Sequence, residues 1–284
     1  MNSIPNYFSI SGNNIRRWFT NPRIYILIAL LLILMWTYLG PILFFSKGIG
    51  YRVAPWVFPF ISNFSYTQRF MMLGIVFLFC DAPFVNEGQP YLLIRSGRTH
   101  WALGQILYIM LATAIYFLFL AVISILMLTP NLFLSTDWGK LLGTLAQTSV
   151  GQDFNVHLPI SYKIQTMYTP VQAFSLSLLL DWCAGTLLGL TIFITNIYLN
   201  RAIGAILASA IILLDVAVYN NFTDYAYHFS PVSMARLAVL DPSGMSLRPT
   251  FLYACIFFMA AIIVLSIIAV LSVHKREIEI SPQI

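Results

Sequence analysis

The sequence predicts an all-α polytopic membrane protein, and three observations carry that fold class. Hydrophobic residues make up 59% of the 284 residues and charged residues only 9%, whereas soluble chains carry about a quarter charged residues. Mean hydropathy is +0.82. Several runs reach about 20 apolar residues, the length that spans a bilayer core. Turn and basic residues then end these runs, as in Thr129-Pro130, Asn200-Arg201 and His274-Lys275-Arg276.

Residues 1–22 are more polar. Phe8, Ile15, Trp18 and Phe19 share one helical face beside Arg16 and Arg17. Asn21-Pro22 breaks the pattern, because the residue before a proline is pushed out of the α region. The stretch reads as an interfacial helix, apolar face toward lipid and arginines at the headgroups; a solvated tail is the alternative. Six transmembrane helices follow, at about 24–45, 66–85, 103–128, 173–198, 203–219 and 251–273. The second has the least defined start, anywhere from Phe60 to Phe70, and ends at Asp81-Ala82-Pro83. Between the third and fourth spans, residues 131–170 form a long loop. Trp138, Leu141, Leu142 and Leu145 recur there at helical spacing, which predicts a short amphipathic surface helix. Ser230-Pro231 predicts another short helix, with serine as N-cap and proline at the first helical position. Met234, Leu237 and Leu240 would supply its apolar face. With no internal repeat and no linker, residues 1–284 read as a single transmembrane domain.

Six spans put both termini on one side, and lysine and arginine placement gives its identity. Arg16, Arg17, Arg23, Arg95, Arg98, Arg201, Lys275 and Arg276 fall on the side of the termini. Lys47, Arg52, Arg69, Lys140, Lys163, Arg236 and Arg248 fall on the other. The totals are close, but the first set lies in shorter segments at roughly twice the density, and short loops govern orientation. Both termini are therefore expected to be cytoplasmic. The first apolar run is too long for a cleavable signal peptide, and no small-residue cleavage site follows it.

Several chemistries lack their sequence signature. There is no phosphate-binding loop: Gly139-Lys140 is followed by Leu141 without the upstream glycine frame. No H-E-x-x-H pair and no G-x-S-x-G elbow occurs, and His100, His157, His228 and His274 are scattered over polar segments. Cys80, Cys183 and Cys255 lie within apolar runs at no metal or redox spacing, and are expected to pack as small hydrophobes. The formal net charge of +5 is dispersed, unlike the basic face of a nucleic-acid binder, and suits contact with anionic lipid. The chain is expected not to be an enzyme and to hold no cofactor of its own. Asn63-Phe64-Ser65 and Asn221-Phe222-Thr223 match the glycosylation triplet, but nothing else indicates a eukaryotic secretory setting.

Two sets of residues stand out. The first is the polar interruption Gln89–Trp101, between the second and third spans. Arg95 and Arg98 sit three residues apart and share a helical face, where they can make charge-assisted bonds to a partner's carboxylates. Tyr91 and Trp101 offer large contact area. Gly97 costs a helix about 1 kcal/mol relative to alanine, which predicts a bend or close backbone approach. Asp81 and Glu87 flank the segment, as solvated helix-end charges or as partners for Arg95 and Arg98. The bland alternative for the whole segment is a loop whose arginines only hold topology. The second set is Asp181 and Asp215, acids within the fourth and fifth spans. Intramembrane carboxylates are costly and point to function. At 1.5 Å rise per residue both fall roughly 10 Å below one surface, with no lysine or arginine expected at that depth. They form a candidate translocation path or proton-binding pair; facing a wet vestibule, or bonding to hydroxyls such as Ser175, Ser177 or Ser209, is the simpler possibility.

Taken in order, the amphipathic segment Ile15–Arg23, six spans, the segment Pro90–Arg98 and the Phe229-Ser230-Pro231-Val232-Ser233 stretch before the last span resemble the membrane subunit of type-2 ABC exporters, the type V transporter fold, especially small permeases of Gram-positive bacteria. The resemblance covers nearly the whole chain, although the 131–170 loop is long for such proteins. It implies a bacterial plasma-membrane permease that pairs with a second permease subunit and sits on two copies of a separate ATP-binding subunit, which binds ATP and Mg. Residues 86–102 would be the cytoplasmic coupling segment, with Tyr91, Ile94, Arg95, Gly97, Arg98 and Trp101 at the ATPase interface. The implied cargo is an amphipathic peptide, an antimicrobial or a lipid. A secondary transporter or channel using Asp181 and Asp215 is the alternative. A membrane-embedded enzyme would need convergent His, Asp or Glu residues that the spans lack.

Overall fold

The computed structural model describes residues 6–83, 97–199, 201–221 and 223–275. The predicted interfacial helix appears as α1 (Asn6–Arg16), continued by a 3-10 turn over Arg17–Phe19. The first span is α2 (Pro22–Ile49), opened by Asn21, whose side chain accepts a 3.0 Å hydrogen bond from the Arg23 amide. That bond satisfies one of the N–H groups a helix leaves orphaned at its start.

No single helix covers the expected second span, 66–85. The region holds α3 (Phe58–Asn63) and α4 (Ser65–Phe79), with Phe64 between them in an extended conformation. At 15 residues, α4 is about 22 Å long, short of the roughly 20 residues a straight crossing needs. Polar side chains account for the break. The Asn63 amide donates back to the Pro59 carbonyl at 2.6 Å, and the Thr67 hydroxyl donates to the Phe64 carbonyl at 2.9 Å and also to that of Ile61. These bonds replace helical ones, as non-helical backbone at membrane depth requires.

The remaining long helices are α5 (Arg98–Leu126), α9 (Pro170–Tyr198), α10 (Arg201–Asn221) and α12 (Phe251–Lys275). Among the described residues, α2, α5, α9, α10 and α12 are long and apolar enough to cross a membrane. Between α5 and α9 lie α6 (Gly139–Gln147), α7 (Val150–Asp153) and α8 (Tyr162–Met167). The surface helix expected near Trp138 is α6, with Leu141 and Leu142 buried. Ser230 caps α11 (Pro231–Met234) by accepting from the Ser233 amide at 3.3 Å. This helix is a single turn, not the longer one that the Met234, Leu237 and Leu240 spacing suggested; those three side chains are nonetheless buried.

A chain of contacts fixes the two ends of the bundle. Asp81 after α4 pairs with Arg23 at the start of α2. The Asn196 amide near the end of α9 donates to the carbonyls of Cys80 (3.3 Å) and Ala82 (2.9 Å). Ser272 of α12 donates to the Tyr198 hydroxyl at 3.1 Å. The start of α2 and the ends of α4, α9 and α12 thus share one end. The segments holding α6–α8 and α11 gather at the other. There the Lys163 ammonium donates to the Ala238 and Leu240 carbonyls at 3.1 Å each, and partial burial lowers its pKa. Hydrogen bonds from Ser243 and Ser246 hold the Asp241 carboxyl well below the usual carboxylate range.

Helix α9 is the centre of the bundle and packs against α3, α4, α5, α10, α11 and α12. Apolar surface gains little by leaving lipid for protein, so close packing must hold membrane helices together, and small residues allow it. Gly185 and Gly189, a G-x-x-x-G pair in Gly185-Thr186-Leu187-Leu188-Gly189, supply that contact. A Cβ on Gly185 would lie 2.7 Å from Thr113 Cγ2 and 2.9 Å from a Phe117 ring carbon. One on Gly189 would lie 2.7 Å from Ile109 Cγ2 and 2.9 Å from the Phe79 ring. Bare α9 backbone therefore rests directly on α5 and α4. We expect Gly189→Val to destabilise the purified chain by about 1–3 kcal/mol, the usual cost of overpacking, read as a lower denaturation midpoint in detergent micelles. Gly143→Ala, where a Cβ would meet nothing within 4 Å, should leave the midpoint within about 0.5 kcal/mol of the unsubstituted chain.

Candidate functional site

Both intramembrane acids are buried, at 0% exposure, so neither faces a wet vestibule. Their surroundings differ sharply. Asp215, on α10, is held by two arginines. Arg69 Nε of α4 donates to Oδ2 at 2.7 Å, and Arg236, just beyond α11, donates to Oδ1. The Ser233 hydroxyl also donates to Oδ1. The absence of a cation expected at this depth is thus corrected. Arg69 enters from the first turns of α4, which begins at Ser65 because the helix is broken at Phe64. Arg236 comes from a segment outside the spans that folds inward, and burial lowers its guanidinium pKa even though Asp215 opposes the shift. The Arg69 guanidinium also lies over the rings of Tyr66 and Tyr219, 5.4 Å and 6.0 Å from their centroids.

Asp181, on α9, has no such partner: no ion pair reaches it among the described residues. The Ser62 hydroxyl, at the end of α3, donates to Oδ2 at 2.5 Å. Gln68 Nε2 of α4 lies 3.5 Å from Oδ1, a distant contact for a hydrogen bond. The Gln68 Oε1 and Ser177 Oγ atoms are buried and have no hydrogen-bond partner. Neighbouring residues of α4 therefore serve different acids, Gln68 reaching Asp181 and Arg69 reaching Asp215.

The coupling residues suggested by the sequence fall largely outside the described residues, as do Tyr91, Ile94, Arg95 and Glu87. Gly97 has φ 79° and ψ 158°, a region open essentially to glycine, and stands immediately before α5. Arg98 is exposed and opens α5. Trp101, expected to offer surface to a partner, is instead 1% exposed and packs beside Phe193 of α9, with ring centroids 6.2 Å apart. Its position in the first turn of α5 places it against α9. Asp81 pairs with Arg23.

Beside this end of α5 lies α1. Asn14 Nδ2 donates to Gln105 Oε1 at 2.9 Å, and Trp18 Nε1 donates to the Tyr108 hydroxyl at 2.9 Å. Ile10 is buried against Gly104, where a Cβ would come within 2.9 Å of Ile10 Cβ. The amphipathic reading located α1 but assigned its faces incompletely. Phe8 and Phe19 remain exposed, while Ile10, Ser11 and Asn14 form the face packed inward.

Removing one partner from a buried ion cluster leaves an uncompensated charge, at about 3–5 kcal/mol, whereas an exposed pair contributes about 0–1 kcal/mol. Asp215→Asn is therefore expected to lower stability by about 3–5 kcal/mol, measured by chemical denaturation in micelles. Asp81→Asn, which removes the partly exposed partner of Arg23, should change it by less than about 1 kcal/mol.

No family model matches the chain, and no curated protein or solved structure matches it significantly.

Proposed function

We propose that this chain is the permease subunit of an ATP-binding-cassette exporter in a bacterial plasma membrane. In this reading it pairs with a second permease and rests on two copies of a separate ATPase subunit, which binds ATP and Mg. The interrupted α3–α4 segment is the sixth crossing, and both termini are cytoplasmic. The chain performs no chemistry itself. It converts closure of the ATPase pair into outward movement of an amphipathic substrate, a peptide, an antimicrobial or a lipid.

The observation that carries this reading is the docking of α1 on the first turns of α5, immediately beyond residues 84–96. The Asn14–Gln105 and Trp18–Tyr108 bonds join the two helices side to side. On the other flank of residues 84–96, the chain is gripped by Asn196 and by Arg23 through Asp81. Force applied to the arginine-bearing segment would pass to α5 and α1 on one side, and to α2 and α9 on the other. Trp101, wedged beside Phe193, would carry it into the bundle. Arg95 and Arg98 remain the proposed contacts with ATPase carboxylates, with Tyr91 and Ile94 beside them and Gly97 as the bend. Trp101 acts from within.

A secondary transporter or channel is favoured by one observation, the lack of a countercharge at Asp181 among the described residues. It is disfavoured by Asp215, whose two arginines suit a structural tie better than a conducting site.

The test is co-purification from a membrane containing the chain and a candidate ATP-binding subunit. The double substitution Arg95→Glu, Arg98→Glu should abolish retention of the ATPase, or abolish substrate-stimulated hydrolysis by the complex, while the chain itself stays folded. Full retention together with undiminished stimulated hydrolysis would contradict the assignment.

A further inference from the structure

A fully buried carboxylate without a countercharge is the most costly group in this bundle, since an isolated ionised side chain is strongly disfavoured away from water. Around Asp181, the Ser62 hydroxyl donates to one carboxylate oxygen and the Gln68 amide nitrogen lies 3.5 Å from the other. Gln68 Oε1 and Ser177 Oγ are buried oxygens with no partner. Ser177 lies four residues before Asp181 on α9, hence on the same face one turn away. In most helices a serine hydroxyl so placed returns its proton to the preceding turn; here it does not.

The Gln68 amide sharpens the point. Its nitrogen and oxygen are interchangeable by a half-turn of the amide, which brings Oε1 to about the 3.5 Å now separating Nε2 from Asp181 Oδ1. Calcium-sized cations take oxygen ligands at about 2.3–2.6 Å. Two oxygens 3.5 Å apart can therefore share one such ion at close to a right angle. The break between α3 and α4 stands directly beside this position, with Ser62 before it and Gln68 after it. Discontinuous helices are where membrane proteins assemble ion sites.

We propose that Asp181, Gln68, Ser62 and Ser177 form a binding site for one monovalent cation of sodium size. At the site itself a single carboxylate balances a single charge, whereas a divalent ion would leave a net positive charge there. Among the described residues no group of three or more His, Cys, Asp or Glu side chains converges, so the donor set is that of a hard, oxygen-seeking ion, not a transition metal. A proton on Asp181 would neutralise the charge and could be shared with one neighbouring oxygen, whereas a cation can take Ser177 Oγ and, after the amide half-turn, Gln68 Oε1 together. Asp215 already has its countercharges in Arg69 and Arg236 and does not compete. With the ion in place, α9 is joined to both halves of the broken helix. The site does not depend on the exporter reading, and a chain that binds no ATPase could still contain it.

The experiment measures thermal unfolding of the full chain in detergent micelles, titrating sodium chloride against choline chloride at constant ionic strength, with potassium as a second arm. Sodium is expected to raise the midpoint saturably. Asp181→Asn should abolish the sodium dependence. Ser177→Ala removes a hydroxyl that makes no bond in the protein, so its midpoint in choline should match that of the unsubstituted chain. Its half-saturating sodium concentration should nevertheless rise about tenfold or more, as loss of a metal-site oxygen does. Equal midpoints in sodium and choline would overturn the proposal. So would a sodium shift that survives in Asp181→Asn, or stabilisation by acid alone with no response to sodium, which would assign the site to a proton. If Asp181→Asn cannot be purified folded, the Ser177→Ala titration decides: an unchanged half-saturating concentration overturns the proposal.

Discussion

The break at Phe64 determines where the buried charges of this bundle meet. An unbroken helix through residues 58–79 would place its polar side chains around one continuous spiral. Restarting at Ser65 instead lets Gln68 face α9 while Arg69 faces α10. The break is stable because Asn63 and Thr67 satisfy the carbonyls it frees, and because the Asn63 side-chain Oδ1 accepts from the Ala238 amide at 2.6 Å. That last bond ties the break to the segment that delivers Arg236. The interruption, the Asp215 cluster and the surroundings of Asp181 are thus one mechanical assembly. Breaking a buried ion pair costs far more than breaking an exposed one, which makes Asp215 the anchor of that assembly and leaves Asp181 as its electrostatically open member.

The opposite end of the bundle follows a different logic. There the ties are amide-to-carbonyl bonds, the exposed Arg23–Asp81 pair, and a side-by-side junction of α1 with α5. The Arg23–Asp81 pair is partly exposed, and exposed ion pairs are weak, whereas the Asn196–Ala82 and Asn14–Gln105 bonds are buried. In the proposed function this end would receive force from the partner, with the buried Asp215 cluster as the pivot beyond it. Between the two ends, the Gly185 and Gly189 backbone of α9 packs directly on side chains of α4 and α5, and such close packing transmits displacement with little give.

The long apolar helices were legible in the sequence because their signal is one of sheer length: α2, α5, α9, α10 and α12 lie within a few residues of the expected spans. The Asn21-Pro22 and Ser230-Pro231 boundaries were legible because capping is local chemistry. The break in the second span was not, since Asn63 and Thr67 act through bonds to specific carbonyls and not through any change in hydropathy; the uncertain start of that span was its only trace. Arg236 was unreadable for a related reason. A polar segment outside the spans that folds inward looks in sequence like any other loop. The G-x-x-x-G spacing at Gly185 and Gly189 was present in the sequence and could have identified the central helix. So could Thr169 and Gln172, which form a capping box at the start of α9. Trp101 was misjudged because an aromatic beside a charged segment reads equally well as an external contact or an internal wedge, and only packing against Phe193 distinguishes the two.

The central functional claim is that α1 and the start of α5 move as one body when a partner acts on residues 84–96. Amide hydrogen exchange of the chain assembled with its ATPase, with and without a non-hydrolysable ATP analogue, tests it most directly. The account predicts that protection over residues 6–19 and 97–108 changes together on nucleotide binding, while the first turns of α4 around Gln68 and Arg69 stay protected throughout. A change in one of the two regions without the other, or no change in either, would contradict it.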